Sequence, residues 1–264
     1  MRHGTRLTAA ITAATFVGLL LAGLGVSHRE KPMTTATGFA TLLPAPSPAL
    51  KVGGLKMLSG ERFVSQWTVV RRATAAHAAP SASSVVVARL RASAPEGTPN
   101  LLAVLRSRTG AGGALWVMVR LPVLPNGTVG WVSRHSLGSY QVARTHLVVD
   151  RRRLQATLYQ NGKSVFRAPV GVGTAAAPTP AGDFTIRSKL TRYASPFYGP
   201  VAFGTTARSA VLTDWPDGGF IGLHGTNQPG LIPGRVSHGC IRLRNEDILR
   251  LSRLMPVGTP MTIR

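Results

Sequence analysis

Apolar positions first gather in an uncharged run from Leu7 to Val26, preceded by Arg2, His3 and Arg6 and followed by Arg29. A basic start before an apolar segment of this length marks a chain leaving the cytoplasm, and the segment is just long enough to span a bilayer. Residues 1–30 are therefore expected to be an apolar helix, either an export signal or a membrane anchor. Residues 31–60 are rich in Ala, Thr and Pro and include Pro44-Ala45-Pro46-Ser47-Pro48. Such a composition cannot build a core and reads as a linker. Short apolar runs follow at Trp67–Val70, Val85–Leu90, Leu101–Leu105, Leu115–Leu121 and Val129–Val132. Turn formers separate them, including Pro125-Asn126-Gly127, a hairpin signal. Residues 61–140 are expected to form a small β-barrel.

The pattern continues as strands from Thr145. Leu147-Val148-Val149, Leu154–Tyr159 and Ser164–Val170 are predicted strands, the last two joined by a tight turn at Asn161-Gly162. Phe184-Thr185-Ile186, Phe220–Leu223 and Thr259–Ile263 are further strands. One helix is predicted: Asn245 as its cap, Glu246 and Asp247 in its first turn, Ile248, Leu251 and Leu254/Met255 as its apolar stripe, and Pro256 as its stop.

Of 264 residues 44% are hydrophobic, which excludes wholesale disorder, and 29 Gly with 19 Pro favour strands and turns over long helices. Lys and Arg number 31 against 9 Asp and Glu, a formal charge of +22. The excess is spread along the chain rather than gathered in one element, and no aromatic run interleaves with it, so nucleic acid is not the expected partner. A solvated basic surface suits anionic surroundings such as wall polymers. A single Cys, Cys240, excludes internal disulfides and multi-thiolate metal centres.

That cysteine lies in Ser237-His238-Gly239-Cys240-Ile241-Arg242-Leu243, and a second His lies sixteen positions earlier in His224-Gly225-Thr226-Asn227. A thiol becomes a nucleophile when an imidazole or a cation holds it as thiolate. His224 would close one strand and Cys240 begin the next, so a Gly- and Pro-rich loop could bring them face to face. The backbone N–H groups of Gly239 and Cys240 could hold an oxyanion. Arg242 suits a substrate carboxylate through bidentate pairing. A lone Cys as a small buried hydrophobe is the competing reading. Gly171-Val172-Gly173-Thr174-Ala175-Ala176 imitates a dinucleotide fingerprint, but Pro178 and Pro180 forbid the helix it needs. His224 and His238 with Asp214 or Asp217 lack a recognised zinc spacing, and no metal or other cofactor is expected.

Residues 144–264, with HGTN, SHGCIRL, the following N-E-D and the upstream PTPAGDF, resemble the L,D-transpeptidase catalytic domain of the YkuD family. Leu115–Arg120 followed by Gly130-Trp131-Val132 resembles the SH3-like modules of bacterial envelope enzymes. The resemblances imply a mainly β fold: an SH3-like β-barrel at 61–140, then a transpeptidase β-sandwich at 141–264 with one short helix after the catalytic loop. They imply Cys240 as nucleophile and His224 as proton donor and acceptor. His238 and Gly239 would assist, His238 by stabilising an oxyanion or the substrate. Ser237, Arg242, Gly225, Thr226 and Asn227 would meet the substrate.

The implied reaction is a two-step acyl transfer on peptidoglycan stem peptides outside the cytoplasm. A thioester forms with loss of terminal D-Ala, and an amine of a neighbouring stem then closes a 3→3 cross-link. Water as acceptor would make an L,D-carboxypeptidase, and a protein lysine would make a wall-anchoring enzyme. A non-catalytic wall-binding protein is the alternative of another class.

Overall fold

The computed structural model describes residues 64–191, 195–212 and 219–264. The expected helix of residues 1–30 and the whole linker of residues 31–60 lie outside the described residues, as do Asp214 and Asp217. Among the described residues no helix is long and apolar enough to cross a membrane.

The first part is one antiparallel sheet. Its strands are β1 (Ser65–Val69), β2 (Thr74–His77), β3 (Val86–Leu90), β4 (Leu101–Thr109), β5 (Leu115–Arg120), β6 (Val129–Ser133) and β7 (Gln141–Ala143), in the order β3-β2-β6-β5-β4-β1-β7. The five apolar runs all became strands here. β2 and β7 are additional, because Thr-Ala-Ala-His and Gln-Val-Ala carry too little apolar alternation to announce themselves. Leu102, Val104, Val117, Val119 and Val132 alternate inward into one core.

The second part holds β8 (Thr145–Asp150), β9 (Gln155–Gln160), β10 (Lys163–Pro169), β11 (Gly171–Gly173), β12 (Gly182–Leu190), β13 (Ala202–Arg208), β14 (Phe220–His224), β15 (Gly234–Ser237), β16 (Ile241–Arg242) and β17 (Pro260–Ile263), with helix α1 (Asn245–Leu254). The strand order is β10-β9-β8-β17-β12-β13-β14-β16-β11-β15. Ten strands laid flat would span about 43 Å, yet Leu147, Leu158, Ile186, Phe203, Leu223 and Ile241 share one core. The sheet therefore bends over on itself. The corner lies in β12: its first half pairs with β17, its second half with β13, and the register shifts between Ile186 and Ser188. The turn between β9 and β10 places Asn161 at φ 48° and Gly162 at φ 79°, the left-handed geometry that this residue pair favours.

Helix α1 closes the second core with Ile248 and Leu251 and ends at Leu254 before Pro256. Its N-cap is Arg244 rather than the expected Asn245, which is the first helical residue. The Asn245 side chain is committed elsewhere: Oδ1 accepts the Thr226 N–H at 2.9 Å. The protein is thus mainly β with one short helix among the described residues.

Candidate active site

β14 and β16 run parallel side by side, with Leu223 opposite Ile241 and His224 opposite Arg242. This register carries Cys240, one residue before β16, to the level of Gly222. The Gly222 N–H donates to Cys240 Sγ at 3.3 Å. A Cβ on Gly222 would lie 3.7 Å from that sulfur and 3.8 Å from His224 Cδ2. Thiol and imidazole therefore border the same small space, one left open because residue 222 has no side chain.

His224 is 1% exposed. Its Nδ1 is 2.6 Å from the Gly225 carbonyl, so in the neutral ring Nδ1–H donates and Nε2 is left as the acceptor. The strand end is pinned from both sides: the Leu243 N–H donates to the His224 carbonyl at 2.9 Å and the Gly225 N–H to the Val201 carbonyl at 3.3 Å. Tyr198 lies against the imidazole with ring centroids 4.7 Å apart. Gly225 and Thr226 are buried behind the ring, and Asn227 is exposed.

The loop before Cys240 is built as a sharp turn. Gly239 has φ 116°, and a Cβ there would come within 2.8 Å of Ile221 Cδ1. Ser237 Oγ donates to the Cys240 carbonyl at 2.6 Å and accepts the Gly239 N–H at 3.1 Å. The Gly239 N–H, expected as an oxyanion donor, is thus engaged within the loop. A second clamp comes from Thr179, whose Oγ1 donates to the Gly239 carbonyl at 2.7 Å while accepting the Gly173 N–H at 2.8 Å. The Pro178-Thr179-Pro180 segment is the brace of the thiol loop.

Cys240, His224, Ser237, His238 and Arg242 line one small cleft of about 60 Å³ with Phe197, Tyr198, Leu212, Phe220 and Ile221. Cys240 is half-buried and His238 exposed. Arg242 is buried, and its guanidinium carbon sits 4.6 Å from the Phe197 ring centroid. Gly239, Gly225, Thr226 and Asn227 lie outside the lining. Sequence reading missed Phe197 and Tyr198, although paired aromatics in Ser195-Pro196-Phe197-Tyr198-Gly199-Pro200 stand out in a chain with 6% aromatics. Among the described residues no group of three His, Cys, Asp or Glu is placed to hold a metal ion.

The electrostatics differ from the expected thiolate. Burial pushes the Cys240 thiol up, against smaller opposing pulls from the Gly222 N–H and Arg242. Burial also lowers the His224 pKa to about 4, with Arg242 adding to it and the Gly225 carbonyl opposing it. Both shifts favour neutral thiol and neutral imidazole, because burial disfavours either charge. The arrangement can form a thiolate by passing the proton to His224 as the sulfur attacks.

This has a consequence for stability. The unfolded chain protonates His224 below about pH 6.5, the folded one only near 4. The contribution is complete above pH 6.5 and falls by about 3 kcal/mol as pH drops toward 4. Denaturant unfolding at pH 7.5 and 4.5 should show a larger acid loss for the native protein than for His224→Gln. Equal losses would contradict a buried neutral imidazole.

The described residues form a mainly β protein with one cleft bordered by its single thiol and a buried imidazole. Residues 144–263 match the model of the YkuD family, the L,D-transpeptidase catalytic domain. It is 32% identical over 118 residues to a putative L,D-transpeptidase YkuD of Bacillus subtilis, covering 45% of this chain and 65% of that one. The putative YkuD of Bacillus licheniformis is 34% identical, with 40% and 57% covered. The probable L,D-transpeptidase YbiS of Escherichia coli is 32% identical, with 43% and 42% covered. The chain thus spans between 42 and 65% of these curated relatives. Solved structures that are similar include the catalytic domain of the Enterococcus faecium L,D-transpeptidase, at 24% identity and TM-score 0.35, with 46% of this chain and 96% of that one covered. An L,D-transpeptidase from Mycobacterium smegmatis matches at 18% identity and TM-score 0.38, with 62% and 99% covered.

Proposed function

We propose that the protein is an L,D-transpeptidase that forms 3→3 cross-links in peptidoglycan with Cys240 as nucleophile. The observation that supports it most is the placing of Cys240 Sγ and the His224 ring edge around one open position at Gly222, on the cleft that both line. In this reading Sγ–H gives its proton to His224 Nε2 as sulfur attacks the carbonyl preceding the terminal D-Ala of a tetrapeptide stem. His224 then protonates the departing amine, leaving a thioester. An amine of a second stem attacks that thioester, its proton passes to His224, and the thiol is regenerated.

The remaining residues take supporting roles. With the Gly239 N–H engaged by Ser237, the Cys240 N–H is the backbone group assigned to the oxyanion, and His238 assists from the exposed rim. Arg242 is assigned to a substrate carboxylate. Gly225, Thr226 and Asn227 are assigned mainly to holding the His224 loop, with only Asn227 exposed enough to meet substrate.

The test is incubation of the chain from about residue 51 with a disaccharide-tetrapeptide, read by mass. A cross-linked dimer with loss of D-Ala supports the transpeptidase. A tripeptide alone indicates an L,D-carboxypeptidase, and no product with no adduct on Cys240 indicates a non-catalytic wall-binding protein.

We further assign residues 61–140 to an SH3-like module, residues 1–30 to export or anchoring, and the whole chain to the envelope outside the cytoplasm. The +22 charge suits adhesion to anionic wall polymers. Sedimentation with purified wall should weaken steeply between low and physiological salt. Binding indifferent to ionic strength would refute that electrostatic part.

A further inference from the structure

The first sheet reaches the cleft through two arginines of the second. Glu96, in the loop between β3 and β4, is paired through Oε2 with Arg187 Nη2 at 2.6 Å, with side chains 14% and 5% exposed. Its Oε1 accepts from Ser188 Oγ at 2.7 Å and from Thr98 Oγ1 at 3.1 Å. Asn126, in the loop between β5 and β6, holds the Arg208 backbone with two bonds. Nδ2 donates to the Arg208 carbonyl at 2.7 Å and Oδ1 accepts the Arg208 N–H at 3.0 Å. Arg208 Nη1 also donates to the Pro122 carbonyl at 3.4 Å.

Both guanidiniums converge on one ring. Arg187 Cζ is 3.7 Å and Arg208 Cζ 4.7 Å from the Phe220 centroid. Phe220 opens β14 and lines the cleft, two residues before the Gly222 that borders thiol and imidazole. A ring held by two cations that are each tied to the other sheet has little freedom to swing. Glu96 sets a carboxylate against the buried Arg187 guanidinium under that wall. These bonds join the two sheets at the wall of the cleft.

We infer that Glu96 and Asn126 are positioning residues for the cleft: they hold Arg187 and Arg208 against Phe220 and so set the width in which an acyl donor meets Cys240. The inference rests on the transpeptidase reading for its turnover prediction, but not for the geometry it predicts.

The test uses the full chain with Glu96→Gln, which keeps hydrogen bonding but removes the charge, and Asn126→Ala, which removes the backbone clamp. Two measurements separate the readings. In the first, Cys240 is labelled with methyl methanethiolsulfonate and with pyrene maleimide. The small reagent should react with native and variant protein at similar rates. The bulky one should react about tenfold faster with each folded variant, as the ring loses a guanidinium contact. In the second, donor turnover should fall about 10–100-fold, carried mainly by a higher KM for the tetrapeptide, since a displaced cleft wall misaligns the donor. Native protein that labels but does not turn over would overturn the transpeptidase reading while the labelling ratio still decides the clamp. An unchanged ratio in folded variants would overturn the clamp, as would lower melting temperature with both rates unaltered. Should Glu96→Gln fail to fold, the same ratio in Asn126→Ala decides.

Discussion

Replacing Cys240 by Ala should abolish acyl-enzyme formation and reduce turnover by about 10⁴-fold or more, the scale seen when a covalent nucleophile is removed. Cys240 is the chain's only cysteine, so no second thiol can substitute. Cys240 is a half-buried residue lining the cleft, and its sulfur is oriented by the Gly222 N–H that it accepts. Intact mass after exposure to a carbapenem or tetrapeptide donor should show one adduct on the native protein and none on Cys240→Ala. An adduct that persists in the variant, or turnover that survives, would remove the sulfur from the reaction.

The second large effect concerns the proton. His224→Ala should cost about 10²–10⁴ in rate, and His238→Lys markedly less. The reason is burial. His224 is enclosed, with Nδ1 committed to the Gly225 carbonyl and its Cδ2 edge beside the space at Gly222 that the thiol also borders, whereas His238 stands exposed at the rim. The pH profile carries the same information. In the native enzyme kcat/KM should decline only as pH falls toward about 4, where the His224 imidazole takes up a proton and can no longer accept one. In His224→Ala that acid limb should vanish, and the remaining rate should climb with pH above neutrality as the raised thiol ionises on its own. Equal losses for both histidines, or an unchanged acid limb, would overturn this division of labour.

Much of this site was legible along the chain because its parts are short and local. HGTN and SHGC each supply a His or a Cys at a strand end beside glycine, and the resemblance to the YkuD domain paired them. The hairpin at Asn161-Gly162 and the helix over Asn245–Leu254 were equally readable, since turn chemistry and a 3.6-residue apolar stripe are local signals. β13 was not foreseen. Ala-Phe-Gly-Thr-Thr-Ala-Arg has no clean alternation, and it forms a strand because β12 and β14 flank it on both edges. Asn245 looked like a cap but serves the His224 loop instead, a choice made by a residue nineteen positions away. Thr179 was visible only as part of a motif. Its work, bracing Gly239 from sixty residues upstream, exists only once β11 lies beside β15.

From the amino-acid order alone came a mainly β chain, its export-like start, its basic character and the pairing of one thiol with one imidazole. Those follow from side-chain chemistry and from periodicities that operate within a few residues. Tertiary structure decided the protonation of that pair, the occupation of the Gly239 N–H, the aromatic wall of Phe197, Tyr198 and Phe220, and the hold of Glu96 and Asn126 on that wall. Each depends on what surrounds a group in space. Burial sets a pKa, and contacts between sheets join residues that the chain keeps far apart.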